Sequence, residues 1–452
     1  MKNNITTNTD NINNFNIINN TGIKDIKLTS IKKSITMAAL LGLGLLTQSY
    51  ADQCITKNNG SLKAGPLVGH TDSDSSMIWA YADNKNDSVK VQYKTAANSK
   101  NCTVVNMPPR DERLNTSLAN LKNLKRNTRY YYDVLVNNKI AESGTFKTAS
   151  SDKIFKYVLA SCIRRQKDEE QISFIRAREL KPDLMLLLGD NVYSDTNDRG
   201  DKLNSHKLQR NIKNFKNIIK DVPTYAIWDD HDFGKNNSDG TDTDERSARD
   251  AFMDVWANPG YGEDNKGIYY SFKRGDVEFF MLDGRYFKNP GKDFLGNDQL
   301  NWLKNKLSKS DAVFKVLAVG QTFNSAGNAS WSDAPDERKN LLNFIKDKKI
   351  KGVILHSGDV HSNRYINHQD RRGIEVGYPV IEIISSSIAS NGADEWVMIK
   401  ANTTSNNKKE NTLEISFYSG KNAAKAEDHS HKPAKENAKG PIIVIQGSKL
   451  GY

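Results

Sequence analysis

Cysteine is scarce in this chain: there are three in 452 residues, Cys54, Cys102 and Cys162. That is too few for a disulfide framework, and the odd count leaves one thiol single. Cys54 and Cys102 fall in one small β-rich stretch and form the candidate pair for an oxidising compartment. Long apolar runs are also missing. The run from Ile35 to Leu46 is too short to span a bilayer comfortably. No Arg-Arg pair precedes it, and "SYADQC" lacks the small-residue lead of a lipoprotein cysteine. There are no internal repeats. Charge of one sign is not concentrated either. The 65 Lys and Arg are spread among 54 Asp and Glu, without a basic stripe interleaved with aromatics, so a specific nucleic-acid partner is not indicated.

The amino-terminal region differs from the rest. Residues 1–29 form a low-complexity extension, with nine Asn in its first twenty positions. Residues 30–51 read as a secretory signal peptide. Lys27, Lys32 and Lys33 precede the apolar run, and Ser49-Tyr50-Ala51 offers small residues at the cleavage positions. A buried helix would require neither the basic flank nor that site. The expected route is Sec-type export, giving a secreted or periplasmic protein with no transmembrane segment after cleavage. Cleavage after Ala51 would leave 60 basic against 52 acidic groups, a net charge of +8 that favours anionic partners in general.

Residues 52–150 alternate apolar and polar positions in "SSMIWAYA", "SVKVQYK", "RYYYDVLV" and "ESGTFKTA". They predict a small all-β sandwich of spacer character. From 151 to 452 the style changes. "YVLAS", an amphipathic helix in "KDEEQISFIRARELKPD" with Ile172, Ile175 and Leu180 on one side, and "LMLLLG" predict a parallel crossover unit. "TYAIW", the hairpin "GIYYSFKRGDVEFFMLD", two further helices and the strands "FKVLAVG", "KGVILHSG", "YPVIEIIS" and "TLEISFYS" predict a layered α/β sandwich. Residues 421–440 read as a polar, Lys-rich loop, and "PIIVIQ" as a last edge strand.

Chemistry gathers where the buried strands end. "YVLAS" runs into Cys162, and "LMLLLG" into Asp190 with Tyr193 three residues on. "TYAIW" ends in Asp229, Asp230, His231 and Asp232, and "KGVILHSG" ends in Asp359 and His361. Each piece alone has an ordinary explanation: a turn, a surface His, a core thiol. Together they place thiol, phenol, carboxylate and imidazole at the strand edge where open α/β sheets bind ligands. Carboxylates so close repel one another unless a cation sits among them, and this many ligands suggests two metals.

"ASC", "LLLGDNVY", "IWDDHDFGKNN" and "LHSGDVHS" resemble the alkaline phosphatase D family of the calcineurin-like metallophosphoesterases. The resemblance spans roughly residues 60–420 and is motif-specific within 157–364. It implies a four-layer αββα sandwich behind a small fibronectin III-like domain. It further implies that Cys162, Asp190 and Tyr193 hold one metal, and that Asp190 bridges to a second held with Asp230. Asp359 and His361 would complete the cluster, with Asp229 also among the ligands. Thiolate and phenolate suit Fe(III), and an all-oxygen neighbouring site suits Ca²⁺, with other divalent metals as alternatives. His231 would face the substrate and protonate the leaving group. Asp232 would orient His231. Arg164 and Arg285 are candidate phosphate clamps, or else surface cations, and Asn236 would steady the loop or touch a metal. Gln321 stands where the superfamily has an isolated His ligand, and His356 is expected to be a packed strand residue.

The function implied is a secreted phosphatase or phosphodiesterase using a hydroxide activated by two metals. Its substrate would be a small phosphate ester, or a phospholipid or polymer phosphodiester. Two readings of other kinds compete. One is a metal-binding protein that kept the fold and lost the chemistry, which predicts loss of a motif residue. The other is a secreted nuclease, which predicts the missing basic stripe.

Overall fold

Local turn chemistry and strand patterning build this chain, and a computed structural model describes it over residues 52–111, 115–150, 153–241, 244–324, 330–368, 376–390, 394–419 and 442–452. The Asn-rich extension, the expected signal peptide and the polar loop at 421–440 lie outside the described residues. Among the described residues, no helix is long and apolar enough to cross a membrane.

The alternating segments near the start form two antiparallel sheets. One contains β2 (Leu62–Thr71), β3 (Ser76–Ala82) and β6 (Thr116–Leu121). The other has the order β1 (Asp52–Gln53), β5 (Asn101–Asn106), β4 (Val89–Lys94), β7 (Arg129–Val136) and β8 (Lys139–Lys147). Their inward residues, among them Ile78, Val91, Val134 and Phe146, share one apolar core. Cys54 and Cys102 are bonded, with Cα atoms 4.9 Å apart, where β1 meets β5.

A second body follows. Its first sheet has the order β11 (Thr224–Ile227), β10 (Leu184–Leu188), β9 (Ile154–Ala160), β18 (Trp396–Asn402), β19 (Thr412–Tyr418), β20 (Ile443–Gln446). The second sheet has the order β12 (Tyr270–Arg274), β13 (Val277–Met281), β14 (Phe314–Ala318), β15 (Val353–Ser357), β17 (Ile381–Ile384), β16 (Arg364–Asn367). Strands β9, β10 and β11 are parallel, as are β13, β14, β15 and β17. "PIIVIQ" does supply the edge strand β20.

Period-two alternation sorts the layers. Val277, Phe279 and Met281 face the first sheet in the central core, while Phe280 and Leu282 pack under helices Gly296–Lys309 and Pro335–Asp347. The result is helix, sheet, sheet, helix, as the family resemblance implied. The β12–β13 hairpin closes through Gly275 at φ +55°, a left-handed position that glycine takes without strain.

One helix differs from its sequence reading. Only Ser173–Glu179 is helical, with Ser173, Phe174 and Ala177 buried, whereas Ile172 and Ile175 are 47% and 43% exposed. Asp168 accepts the Gln171 amide and Gln171 takes φ +53°, so the chain turns before it coils and the buried face is reset.

The small sandwich is seated on the second body through polar anchors inside apolar contact. Trp79 Nε1 donates to Asp254 O at 2.7 Å, Tyr132 Oη to Lys220 O at 2.8 Å, and the His70 amide to Ala257 O at 2.8 Å. Gly69 lies so close that a Cβ would meet Ala257 O at 2.3 Å.

The disulfide closes a 48-residue separation in the least extensive part of the fold. Replacing Cys54 and Cys102 together by Ala is expected to lower unfolding free energy by about 2–4 kcal/mol, read from denaturant melts with and without reductant. Wild type and variant should coincide once the reductant has acted.

Candidate metal centre

The carboxyl ends of β9, β10, β11 and β15 converge; β9, β10 and β15 deliver their polar residues by a sharp backbone reversal, and β11 by a short helical turn at Asp230–Phe233. Cys162, Asp190, Asp359 and His361 all have positive φ, between 51° and 70°. Non-glycine residues pay for that conformation, so four in one place mark a site that the surroundings hold against local preference. Gly189 at φ +90° makes the approach possible, since a Cβ there would lie 2.5 Å from the Asp229 Cβ.

Two overlapping groups of ligand-type atoms result, Cys162 with Asp190 and His361, and Asp190 with Asp230 and His231. Within each group the atoms lie within 4.8 Å of one another. Asp190 belongs to both, the position expected of a bridging carboxylate. Cys162 Sγ is 3.5 Å and Tyr193 Oη 3.2 Å from Asp190 Oδ2, and Tyr193 Oη is 3.2 Å from His361 Nε2.

Burial and neighbouring negative charge dominate the electrostatics here. Burial, then the Asp230 and Asp229 charges, hold Asp190 well above the usual carboxylate range. Burial and Asp229 push Asp359 up to about 7. Burial and Asp190 raise the Cys162 thiol, and burial with Cys162 raises Tyr193. Burial lowers His361, keeping the imidazole neutral as a metal ligand needs. Asp190 Oδ1 and Asp229 Oδ2 are buried with no hydrogen-bond donor. A bound cation would satisfy both oxygens and let the crowded acids ionise, so the residues present fit metal binding.

Three sequence expectations find different partners here. Asp232 does not reach the His231 ring. Its oxygens accept from the Asn191, Val192 and Asp229 amides at 3.1 Å each, pinning the loop after β10 to the loop after β11. Asp195 takes the orienting place, at 2.5 Å from His231 Nδ1. Arg285 is not open to a substrate. It is 1% exposed, with Nε 2.5 Å from Asp229 Oδ1, Nη2 3.5 Å from Asp230 Oδ1, and Nη1 donating to Ser238 O. Burial opposes its charge, and Asp229 and Asp230 outweigh burial. Gln321 completes this arrangement: with its amide set by the hydrogen-bond network, its oxygen accepts from Arg285 Nε at 2.9 Å. The position expected to lack a ligand therefore holds the guanidinium that compensates Asp229. Asn236 is exposed, whereas the Asn237 amide donates to Asp230 Oδ2 at 2.6 Å.

Arg164 remains beside the cluster, its guanidinium 4.9 Å from the centre of the Tyr193 ring. Its Nε is buried without a partner. His356 is a packed strand residue, 3.0 Å from Tyr157 Oη. Sequence reasoning missed Asp195 and Ser386. Ser386 Oγ donates to Cys162 Sγ at 3.1 Å and accepts the His361 amide at 3.0 Å. The serine run after β17 gave no signal of this, and Asp195 looked like an ordinary loop acid.

Asp195→Ala is expected to lower kcat about 10–100-fold through a loosened His231, with Asp195→Asn recovering part of the loss, measured on a chromogenic phosphate ester. Arg285→Gln should destabilise the fold by about 3–5 kcal/mol, because it leaves Asp229 buried and uncompensated. A raised KM with an unchanged melting temperature would instead return Arg285 to the substrate.

Comparison with known proteins follows the same residues. Residues 157–430 match the family model described as PhoD-like phosphatase, and residues 50–150 match that of the PhoD-like phosphatase N-terminal domain. Alkaline phosphatase D of Bacillus subtilis (strain 168) is 26% identical over 341 residues, covering 60% of this chain and 58% of that protein. The chain therefore spans less than two thirds of that relative's length. Among solved structures, one titled "Structure of PhoD" superposes with a TM-score of 0.67 at 19% identity, covering 86% of this chain and 90% of the other. A purple acid phosphatase, PPD1, from yellow lupin (Lupinus luteus) seeds superposes with a TM-score of 0.57 at 12% identity, covering 80% and 72%. At these identities the two structures speak for the fold.

Proposed function

The chain belongs to the PhoD-like phosphatase family, and from that premise we propose that it is a metal-dependent phosphoester hydrolase. The observation that carries the reading is the convergence of Cys162, Asp190, Tyr193, Asp230, Asp359 and His361 from separate strand ends around buried, unpartnered carboxylate oxygens. Cys162, Tyr193, Asp190 and His361 would hold one ion, and the thiolate and phenolate favour Fe(III). Asp190, Asp230, Asp359 and Asp229 would present oxygen to a second, for which Ca²⁺ is the match. Metal ions bound there would supply positive charge against phosphate oxygens and lower the pKa of the attacking water.

The protein's own groups do the rest. Asp195 holds Nδ1 of His231, which leaves Nε2 as the nitrogen able to pass a proton to the departing oxygen. Arg164 offers a guanidinium at the rim for a phosphate oxygen pair. Asp232 and Ser386 fix the loops that carry these groups. Arg285 opposes the upward shift that burial imposes on Asp229. We place the enzyme outside the cytoplasm, because the 30–51 segment has the layout of an export signal and the Cys54–Cys102 bond suits an oxidising compartment.

The purified chain should hydrolyse chromogenic phosphomonoesters or diesters. A chelator should abolish turnover, and His231→Ala should reduce it by about 100-fold or more with metal content unchanged. Elemental analysis should find iron and calcium, with the iron lost in Cys162→Ser and Tyr193→Phe. Turnover that survives both chelation and His231→Ala would remove the metal reading.

A further inference from the structure

A cleft of about 770 Å³ lies between the small sandwich and the first large sheet, away from the metal ligands. Pro182 and Asp183 line it just before β10, and Val222 and Pro223 just before β11. The metal ligands follow the opposite ends of the same strands, a strand length of roughly 15 Å away. The sandwich closes the cleft from the other side with β7 and β8.

The charges lining it are unevenly matched. Each acid has a partner within the protein. Asp221 is held by Arg178 Nη2 at 2.6 Å and the Thr145 amide at 3.0 Å. Asp183 accepts the Lys156 amide at 2.8 Å, and Glu179 pairs with Arg176 at 3.5 Å. The side chains of four lining cations, Arg129, Lys147, Lys181 and Arg274, make no hydrogen bond or ion pair with any described residue. Arg274 is the decisive one. It ends the edge strand β12 and is only 7% exposed, yet its guanidinium has no acceptor among the described residues. Its stem is packed away while its unbonded donors open on the cleft, where water or an anion completes them.

We infer that this cleft is a second anion site, one that binds a phosphate-type oxyanion independently of the metal centre. Arg274 forms its floor and supplies a planar pair of donors, while Arg129, Lys147 and Lys181 at the mouth neutralise the remaining charge. The volume exceeds that of a bare phosphate, so a phosphate group bearing an organic arm also fits. Both sub-elements of the site come from different bodies of the fold, so binding there also ties the sandwich to the catalytic sheet.

The test is calorimetric titration of the metal-loaded chain with inorganic phosphate and, separately, with methylphosphonate, which ester hydrolysis cannot consume. The wild-type chain should show two binding events for phosphate. Arg274→Gln should weaken one of them by about 10-fold or more, leaving kcat and KM for ester hydrolysis unchanged. Because Arg274 is buried, the double variant Arg129→Gln, Lys147→Gln provides a second reading on solvent-facing positions, and it should weaken the same event. Tighter phosphate than phosphonate binding identifies the free ion as the occupant, and the reverse identifies a substituted phosphate. A single event in the wild-type chain, or two events that neither variant alters, would overturn the inference. Hydrolysis is measured on the same samples, so loss of the second site and loss of the catalytic reading are separately visible.

Discussion

Crowded negative charge at one sheet edge is the constraint on which the rest of this structure depends. Asp190, Asp229, Asp230, Asp232 and Asp359 meet within a largely buried volume. Water screens them little there, and the Asp229 and Asp230 charges raise the proton affinity of Asp190 and Asp359. The fold answers in three ways. Arg285 is buried against Asp229 as a permanent counter-charge. Backbone amides occupy the Asp232 oxygens. The carboxylate oxygens left over on Asp190 and Asp229 have no donor among the described residues, a setting that a cation would satisfy. The chemistry is thus a consequence of how the repulsion is resolved.

That resolution needs a rigid frame. Parallel strands of apolar residues, buried on both faces, deliver the four loops to one edge with little freedom in their spacing. The left-handed residues at Cys162, Asp190, Asp359 and His361 then turn the side chains toward one another. Their local cost is borne by the packed sheets beneath. The small sandwich contributes no ligand to this centre. It packs against the helices and loops behind β11, through Trp79, Tyr132 and Gly69, and encloses the basic cleft on that side.

Much of this was legible in the residues. Alternation marked the sandwich strands, continuous apolar runs marked the parallel strands, and the polar residues ending those runs marked the centre. The failures were of two kinds. In "KDEEQISFIRARELKPD" the helical spacing of Ile172 and Ile175 was misleading, because the Asp168–Gln171 turn resets the face that is buried. At the site, Asp232 was assigned to His231 because it is adjacent in sequence. Asp195, thirty-six positions away, holds that ring instead.

Sequence by itself determined the strands, where they end and which polar residues follow them, because periodicity and strand-end chemistry are local properties of the chain. Which acid orients His231, and whether Arg285 faces a substrate or a buried carboxylate, only the tertiary structure decided. So too with the unpaired guanidinium of Arg274. Each of these depends on distances between segments remote in sequence; distance fixes the strength of an electrostatic interaction, and burial decides whether it is net stabilising.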